Sequence, residues 1–157
     1  INTNDEEMYF SIGAHPAFNC NLGDTLTFEY DETLYSERID RDSVITGDKD
    51  LILQNSNKIE LTEHLFDKDA LIFSNVKSNY VILNEKKAGK HIRFTFGDSP
   101  FLAIWAKPAA PFVCIEPWYG VNDSYEKTTD FSKKRGIQKL SSDEKFEFSW
   151  SAEFKED

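Results

Sequence analysis

Apolar and polar residues alternate with a period of two over several stretches of the chain. The run from Phe146 to Phe154 places aromatic residues and alanine at every second position, with serine and glutamate between them. Residues 92–96 and 25–30 repeat this alternation. Because successive side chains of a β-strand point to opposite faces, this period predicts strands with one buried and one solvated face.

Shorter, uniformly apolar runs predict strands that are covered on both faces. They lie at residues 70–76, 80–83, 101–106 and 112–115. Turn-forming residues separate the runs at short intervals, for example at 46–48, 55–57 and 97–100. No segment shows a helical period over three turns, and residues 121–135 have the polar composition of a loop. Many strands with short connections predict an all-β, antiparallel sandwich or barrel that forms one domain over residues 1–157.

Composition and charge narrow the functions that fit this chain. Its 157 residues, of which 39% are hydrophobic and 14% aromatic, are enough for a packed core. The formal net charge of −10 repels phosphate groups, so we expect neither nucleic acid nor a membrane as a partner. Cys20 and Cys114 lack the spacing of a zinc or redox motif. With no secretory signal pattern in the sequence, we expect two buried free thiols in a cytoplasmic protein.

Two prolines each follow directly after a side chain that can transfer a proton. The residue before proline favours extended backbone, so we expect His15 at the end of a strand. Glu116 follows an apolar run, where a carboxylate is costly unless it is paired or takes part in chemistry. Pro117 removes a backbone donor, and we expect the strand to end there. Considered alone, His15 could instead be an exposed imidazole and Glu116 an ion-pair partner.

Aromatic and acidic residues supply further candidates for a binding site. A flat indole can stack on the apolar C–H face of a sugar ring, which makes Trp118 a candidate ligand surface. Trp105 lies between apolar residues, and burial preferences favour a core position for it. Asp67 and Asp69 precede the apolar run at residue 70 and could reach a site, although this pattern is typical of solvated turns.

Four segments resemble the aldose 1-epimerase, or galactose mutarotase, superfamily, and most closely its LacX-like branch. They read GAHPAFN at 13–19, DALIF at 69–73, IWAKP at 104–108 and CIEPWYGVND at 114–123, in the order that the family shows. The resemblance covers essentially the whole chain. It is specific in the first and last segments and weaker between residues 34 and 68.

This resemblance implies a large antiparallel β-sandwich of the galactose-mutarotase type, also called a supersandwich. It implies an isomerase that interconverts the α and β anomers of a free aldohexose by acid/base ring opening, with no metal or cofactor. His15 would be the catalytic acid and Glu116 the catalytic base. The substrate-binding positions that it implies are Asp69, with Asp67 as the alternative, together with Trp118, Asp123 and Phe18.

Length is the main departure from the family, whose members are nearly twice as long. This chain also begins with Ile1 rather than methionine. We therefore expect residues 1–157 to be the C-terminal portion of a longer mutarotase-like domain, whose other half supplies a second histidine and an arginine to the sugar site. Such a portion would expose sheet edges, so we expect it to associate with that half or with a second copy of itself. We do not expect it to be fully active alone.

Three other functions stay open from the sequence. A non-catalytic sugar-binding protein would keep the sandwich and lose turnover. A hexose-6-phosphate 1-epimerase would need a basic phosphate pocket, and the four arginines of the chain form no visible cluster. A structural or regulatory partner would not bring His15 and Glu116 together. The distance between these two side chains, and whether both open onto one cleft, therefore tests the catalytic hypothesis.

Overall fold

Twelve β-strands make up about half of residues 1–86, 89–126 and 128–156, which the computed structural model describes. Within these ranges the other regular element is a 3₁₀ turn at Phe131–Lys133, and no helix is long and apolar enough to cross a membrane. The strands are β1 (Met8–Phe10), β2 (Ile12–Gly13), β3 (Ala17–Asn19), β4 (Thr25–Ile39), β5 (Ile45–Glu60), β6 (Leu71–Ser74), β7 (Tyr80–Asn84), β8 (Lys90–Thr95), β9 (Phe101–Trp105), β10 (Phe112–Tyr119), β11 (Gln138–Leu140) and β12 (Ser151–Glu156).

Ten of these strands form one large sheet. Its order is β12-β8-β7-β4-β6-β9-β10-β2, with β5 paired to β4 and β3 paired to β10. Strands β1 and β11 form a separate two-stranded sheet. The pairings between these named strands are antiparallel. The all-β, antiparallel class predicted from the period of two is therefore confirmed.

Strands β4 and β5 are the longest elements, with 15 and 16 residues, and they form an irregular hairpin. The turns predicted at 46–48 and 55–57 are wrong, because both segments lie inside β5. Gly47 and Asn55 have positive φ angles of 94° and 48°, and the β4–β5 register shifts beside each of them. Turn-forming residues here mark bulges within a strand rather than its ends, because a bulge also needs a left-handed or irregular backbone.

The strand predicted over residues 146–154 is only partly correct, since β12 begins at Ser151. Phe146 and Phe148 instead pack their rings against Tyr119, with centroid distances of 5.0 and 5.3 Å. Strand β12 lies at the edge of the sheet with β8 as its neighbour, and Phe154 is 70% exposed. The alternating pattern correctly predicted an aromatic face. In the first half of residues 146–154, however, the aromatic rings pack against Tyr119 and the backbone is not part of a strand.

The large sheet buries side chains on both of its faces. The main hydrophobic core covers one face and includes Phe28, Phe73, Phe94, Ile104 and Ile115. A smaller cluster lies on the other face and consists of Ile45, Ile72, Phe101, Ala103 and Val121, with Trp118 packed against it. We call this second side the cleft face, because it carries the polar clefts described below.

Strand β10 continues through Pro117, so the prediction that the strand ends there is wrong. Pro117 pairs with Leu102 of β9, and on its other side its carbonyl accepts a hydrogen bond from Ala14 at 3.1 Å. The nitrogen of a strand residue points to the same side as its carbonyl. Residues 14–16 interrupt the neighbouring strands β2 and β3 there, so the missing N–H of Pro117 breaks no ladder pair.

The remaining expectations about free thiols and loops agree with the structure. Cys20 and Cys114 are free and buried. The polar segment 121–135 is irregular apart from the 3₁₀ turn and an isolated bridge at Ser124, although residue 127 lies outside the described residues.

Candidate active site

Glu116 lies on β10, between β9 and the short strands β2 and β3, on the cleft face of the sheet. Its neighbour across the β9–β10 ladder is Ala103, whose small side chain belongs to the cluster on that face. Cys114 and Trp118 are two residues away on either side and therefore share this face. Glu116 is 3% exposed, so the strand holds a carboxylate where an unpaired charge is costly.

His15 lies beside Glu116 because residues 12–19 run antiparallel along β10 in one register, interrupted at residues 14–16. Strand β2 pairs with the end of β10 and β3 with its beginning, and residues 14–16 bridge the gap between them. Hydrogen bonds from Ala14 N to Pro117 O and from Ile115 N to Pro16 O fix both sides of this bridge. The extended backbone expected before Pro16 therefore presents the imidazole at the junction of two strands.

A glycine allows this close approach of β2 to β10. A Cβ atom on Gly13 would lie 2.6 Å from Cδ1 of Trp118, which is shorter than real Cβ contacts allow. The bare backbone of Gly13 thus leaves room for the indole next to the His15 bridge.

The imidazole and the carboxylate form a direct pair. His15 Nε2 is 3.4 Å from Glu116 Oε1, and 61% of the His15 side chain is exposed against 4% of the Glu116 side chain. Trp105 meets the imidazole edge to face, with ring centroids 6.3 Å apart. The structure therefore brings the two predicted proton-transfer groups together, which the structural-partner hypothesis did not expect.

Burial is the main influence on the pKa of Glu116. Desolvation raises this pKa above its ordinary value of 4.5, while the nearby His15 and a hydrogen bond from Trp118 lower it. A carboxylate with a raised pKa is a stronger base than an exposed one, and perturbed groups of this kind are common at active sites.

Both groups open onto one cleft, which we call the His15 cleft. It has a volume of about 400 Å³ and is lined by His15, Glu116, Trp118, Ser11, Gly13 and Asn122, among others. Trp118, for which the resemblance to aldose 1-epimerases implies a substrate-binding role, thus lines the same cleft as His15 and Glu116. The cleft can hold a small polar molecule against one carboxylate, one imidazole and one indole.

The structure does not bring Phe18 into this cleft. Phe18 pairs with Val113, whose side chain faces the main core, and it is 8% exposed. Its ring packs against Phe94 at a centroid distance of 5.6 Å. Val113 and Cys114 are consecutive residues of β10 and point to opposite faces, so Phe18 contacts the main core and not the face that carries Glu116. Its implied substrate-binding role stays a prediction.

The two implied aspartates also lie outside the His15 cleft. Asp69 is exposed with a φ of 79°, and its Oδ1 accepts a hydrogen bond from the backbone N–H of Ala70. It lines a separate cleft of about 330 Å³, as does Asp67. Asp123 forms an ion pair with Lys134 at 2.8 Å and lines a third cleft, described next.

That third cleft, which we call the Glu37 cleft, has a volume of about 440 Å³ and adjoins the His15 cleft through Asn122. Glu37 of β4 is 3% exposed, and its Oε2 accepts a hydrogen bond from Arg135 at 2.9 Å. The sequence analysis missed Glu37, because its place in an alternating strand resembles that of an ordinary solvated glutamate. Only the folded structure shows that Glu37 is buried and that Arg135 donates a hydrogen bond to it.

One group of three possible metal ligands comes together among the described residues. The ligating atoms of His15, Cys114 and Glu116 lie within 4.8 Å of one another. Nitrogen, sulfur and carboxylate oxygen are ligands that Zn²⁺ accepts, and Zn²⁺ bound there would occupy both proton-transfer groups. Burial raises the pKa of the Cys114 thiol to about 11, so this thiol is protonated without a metal. Assays of this site therefore need a chelator.

Comparison with known proteins supports the resemblance seen in the sequence. Residues 1–145 match the family model for aldose 1-epimerase. The plasmid form of protein LacX from Lactococcus lactis subsp. lactis is 34% identical over 146 residues, and so is its chromosomal form. Each match covers 87% of this chain and 49% of the relative.

Two solved structures are similar over nearly the whole chain. They are a galactose mutarotase related enzyme from Lactobacillus acidophilus and a galactose mutarotase-like protein from Lactobacillus casei ATCC 334. Each has a TM-score of 0.87 at 28% identity, and the similarity covers 98% of this chain and 54% or 56% of the other. The predicted galactose-mutarotase type of fold is therefore confirmed. The chain spans about half the length of the relatives that it matches.

Proposed function

Because this chain belongs to the aldose 1-epimerase family, we propose that it acts on a free sugar and interconverts its α and β anomers. The observation that carries the proposal is the His15–Glu116 pair, which is 3.4 Å apart and opens onto one cleft beside Trp118. The two oxygens that exchange protons in this reaction are bonded to the same carbon, C1. An acid and a base that serve them must therefore lie side by side.

The chemistry needs one proton removed and one proton supplied. Glu116 takes the proton from the C1 hydroxyl, and the C1–O1 bond becomes a carbonyl as the bond from C1 to the ring oxygen breaks. Protonated His15 gives its proton to that ring oxygen, which leaves an open-chain aldehyde. Rotation about the C1–C2 bond and reversal of both transfers close the ring on the other face and restore both groups. General acid and base catalysis contribute roughly 10²–10⁴-fold each.

The position of each group suits its role in this scheme. Burial makes Glu116 a better base, as the direction of its pKa shift indicates. The largely exposed His15 can exchange its proton with solvent between turnovers. Trp118 offers an aromatic surface to the C–H face of the pyranose.

Mutarotation of a freshly dissolved single anomer tests the proposal. The rate is followed by polarimetry or by anomeric proton NMR with α-glucose and α-galactose. The buffer contains a chelator and is kept dilute, because buffer ions also catalyse mutarotation. Although we do not expect the 157-residue chain to be fully active alone, we expect it to accelerate equilibration and Glu116→Gln to lose at least about 100-fold of that enzymatic rate. Glu153→Gln is the matched control, because Glu153 is exposed on β12 and does not line the His15 cleft.

The alternatives give different results in the same experiment. Sugar binding detected by calorimetry without any acceleration would select the non-catalytic sugar-binding protein instead. Equal rates for the wild type and Glu116→Gln would refute the assignment of the base.

A further inference from the structure

The register of three strands brings three different metal-ligating side chains to one point of the cleft face. Strands β2 and β3 share one register along β10, and across residues 14–16 that register places His15 opposite Glu116. Directly opposed residues of antiparallel strands present their side chains to the same face. Cys114 is two residues from Glu116 on β10 and therefore also shares this face. An imidazole, a thiol and a carboxylate thus come from neighbouring positions of one ladder.

The spacing of the three ligating atoms is close to that of a tetrahedral zinc site. They lie within 4.8 Å of one another, and His15 Nε2 is 3.4 Å from Glu116 Oε1. With Zn–N and Zn–O bonds of about 2 Å and a Zn–S bond of about 2.3 Å, tetrahedral ligand atoms are roughly 3–4 Å apart. The nitrogen and the oxygen already have this spacing, and the sulfur is within about 1 Å of it.

The chemistry of the ligand set selects the metal. Mg²⁺ and Ca²⁺ take oxygen ligands, whereas imidazole, thiolate and carboxylate together suit Zn²⁺. Three protein ligands leave a fourth position for water or a small molecule, as in zinc sites that keep an open position. The formal net charge of −10 also attracts a divalent cation to the chain.

The exposure of the ligands gives a metal ion a way in. His15 has 61% of its side chain exposed and lines the His15 cleft, as does the almost buried Glu116. Cys114 is 2% exposed and lies behind them, so an ion that enters from this cleft passes His15 and Glu116 before it reaches the sulfur. Trp105 pairs with Cys114 and meets the imidazole edge to face, which gives the ligands an aromatic wall. Such a wall limits the access of solvent to a bound ion.

We propose that His15, Cys114 and Glu116 form an inhibitory Zn²⁺ site, with the fourth position of the ion held by water. The ligands are His15 Nε2, the Cys114 thiolate and one oxygen of Glu116. The thiol releases its proton to solvent as the Zn–S bond forms, and zinc keeps its oxidation state. Bound Zn²⁺ occupies the lone pairs of both proton-transfer groups, so the metal-bound chain does not catalyse ring opening. The inhibition rests on the proposed function, whereas the metal site itself does not.

Metal binding is measured without turnover, with Co²⁺ as a visible substitute for Zn²⁺. The 157-residue chain is stripped with a chelator, freed from it and titrated with Co²⁺. Thiolate ligation gives a charge-transfer band in the near ultraviolet, and tetrahedral coordination gives strong visible absorption. We expect both signals to saturate at one Co²⁺ per chain and to disappear when Zn²⁺ is added. Calorimetry with Zn²⁺ and with Mg²⁺ gives the affinities.

The two cysteines provide a matched pair of variants. Cys114→Ser should lose the charge-transfer band. Because loss of an outer-shell partner alone weakens metal binding 10–100-fold, loss of this ligand should weaken Zn²⁺ binding at least about tenfold. Cys20→Ser is the control, since Cys20 is also a free, buried cysteine but lies outside the group of three ligands. It should keep the band and the affinity of the wild type.

A second pair of variants decides the matter even if Cys114→Ser fails to fold. His15→Asn changes a largely exposed side chain, and we expect it also to weaken Zn²⁺ binding at least about tenfold. The control is His64→Asn, because His64 is exposed and contacts the carboxylate of Asp67 but lies outside the three ligands. Equal Zn²⁺ affinity in both histidine variants would overturn the site.

Mutarotation assays then separate the metal site from the proposed function. In a chain that is active without metal, saturating Zn²⁺ should lower the rate at least about tenfold, and a chelator should restore it. A cobalt band that depends on Cys114 in a chain without mutarotation would uphold the site and overturn the catalytic claim. Mutarotation at full rate with saturating Zn²⁺ would overturn the inhibitory role. Absence of the band, a band that persists in Cys114→Ser, or Mg²⁺ binding as tight as that of Zn²⁺ would overturn the site alone.

Discussion

Two glutamates of the large sheet are equally buried, at 3% exposure, yet their surroundings differ. Glu32 receives three hydrogen bonds on one oxygen, from the backbone N–H groups of Lys77 and Ser78 and from the Ser78 hydroxyl, at 2.8–3.0 Å. Glu116 faces the imidazole of His15 across 3.4 Å and opens onto a cleft. Burial alone therefore does not distinguish a structural carboxylate from a reactive one.

The difference lies in what each neighbour can do. The donors around Glu32 are mainly backbone groups that cannot move or give up a proton, so they hold the 77–78 segment onto β4. The partner of Glu116 is a side chain that can gain or lose a proton and is exposed to solvent. We infer that Glu32 contributes to stability and Glu116 to chemistry. Variants of these two residues and of His15 test whether the two roles can be separated.

The largest expected effect is the loss of mutarotation rate when His15 is replaced. His15→Asn removes the acid but keeps a polar side chain, and we expect the rate of mutarotation to fall about 10²–10⁴-fold. The double variant with Glu116→Gln should lose little more than the slower single variant, because acid and base act in one step. Polarimetry on purified variants measures both effects.

The control for His15→Asn is His64→Asn. His64 is also exposed and also contacts a carboxylate, Asp67, but it lies outside the His15 cleft. An equal loss of rate in both histidine variants would contradict the assignment of the acid to His15.

The fold could largely be predicted from the sequence, because the period of two has a direct physical cause in strand geometry. The prediction failed where residue type and backbone role are not uniquely linked. Gly47 and Asn55 suit a bulge as well as a turn, and only the pairing of β4 with β5 decides between them. Phe146 and Phe148 suit a strand as well as an aromatic cluster, and Tyr119, far away in the sequence, decides that case.

Some residues of the candidate site could be predicted from the sequence, and others could not. His15 and Glu116 precede prolines in segments that resemble a known family, so both could be named as candidates from the sequence, and the structure brings them together. Which residues face the cleft depends on strand register, and therefore Phe18 could not be assigned to the core from its position alone. Glu37 was beyond sequence reasoning, because its ion-pair partner Arg135 is 98 residues away along the chain.

Replacing Glu32 should affect stability rather than chemistry. Glu32→Leu leaves the buried N–H of Ser78 without its acceptor, and we expect the free energy of unfolding to fall by about 1–3 kcal/mol. Urea denaturation followed by tryptophan fluorescence measures this change. The rate of mutarotation per folded molecule should stay within about twofold of the wild type. A loss of rate comparable to that of His15→Asn would show that the two buried glutamates are not separable in this way.

The smallest expected effect is the pH dependence of stability, compared between the wild type and Glu116→Gln. Because burial raises the pKa of Glu116, the folded chain keeps the proton at pH values where the unfolded chain, near its ordinary pKa of 4.5, has released it. The unfolded state then binds fewer protons, and the stability of the wild type falls as the pH rises above about 4.5 until the folded pKa is passed. Glu116→Gln lacks this loss.

Urea unfolding of both proteins between pH 4 and pH 7 measures this dependence. At the acid end, Gln resembles the protonated carboxyl group, so the two free energies of unfolding should nearly agree. The variant should become the more stable of the two as the pH rises. The opposite trend, in which the wild type becomes more stable than Glu116→Gln as the pH rises, would mean that attraction to His15 outweighs the cost of burial. Glu116 would then be a stabilising ion-pair partner like the structural glutamates, and its contrast with Glu32 would lose its electrostatic basis.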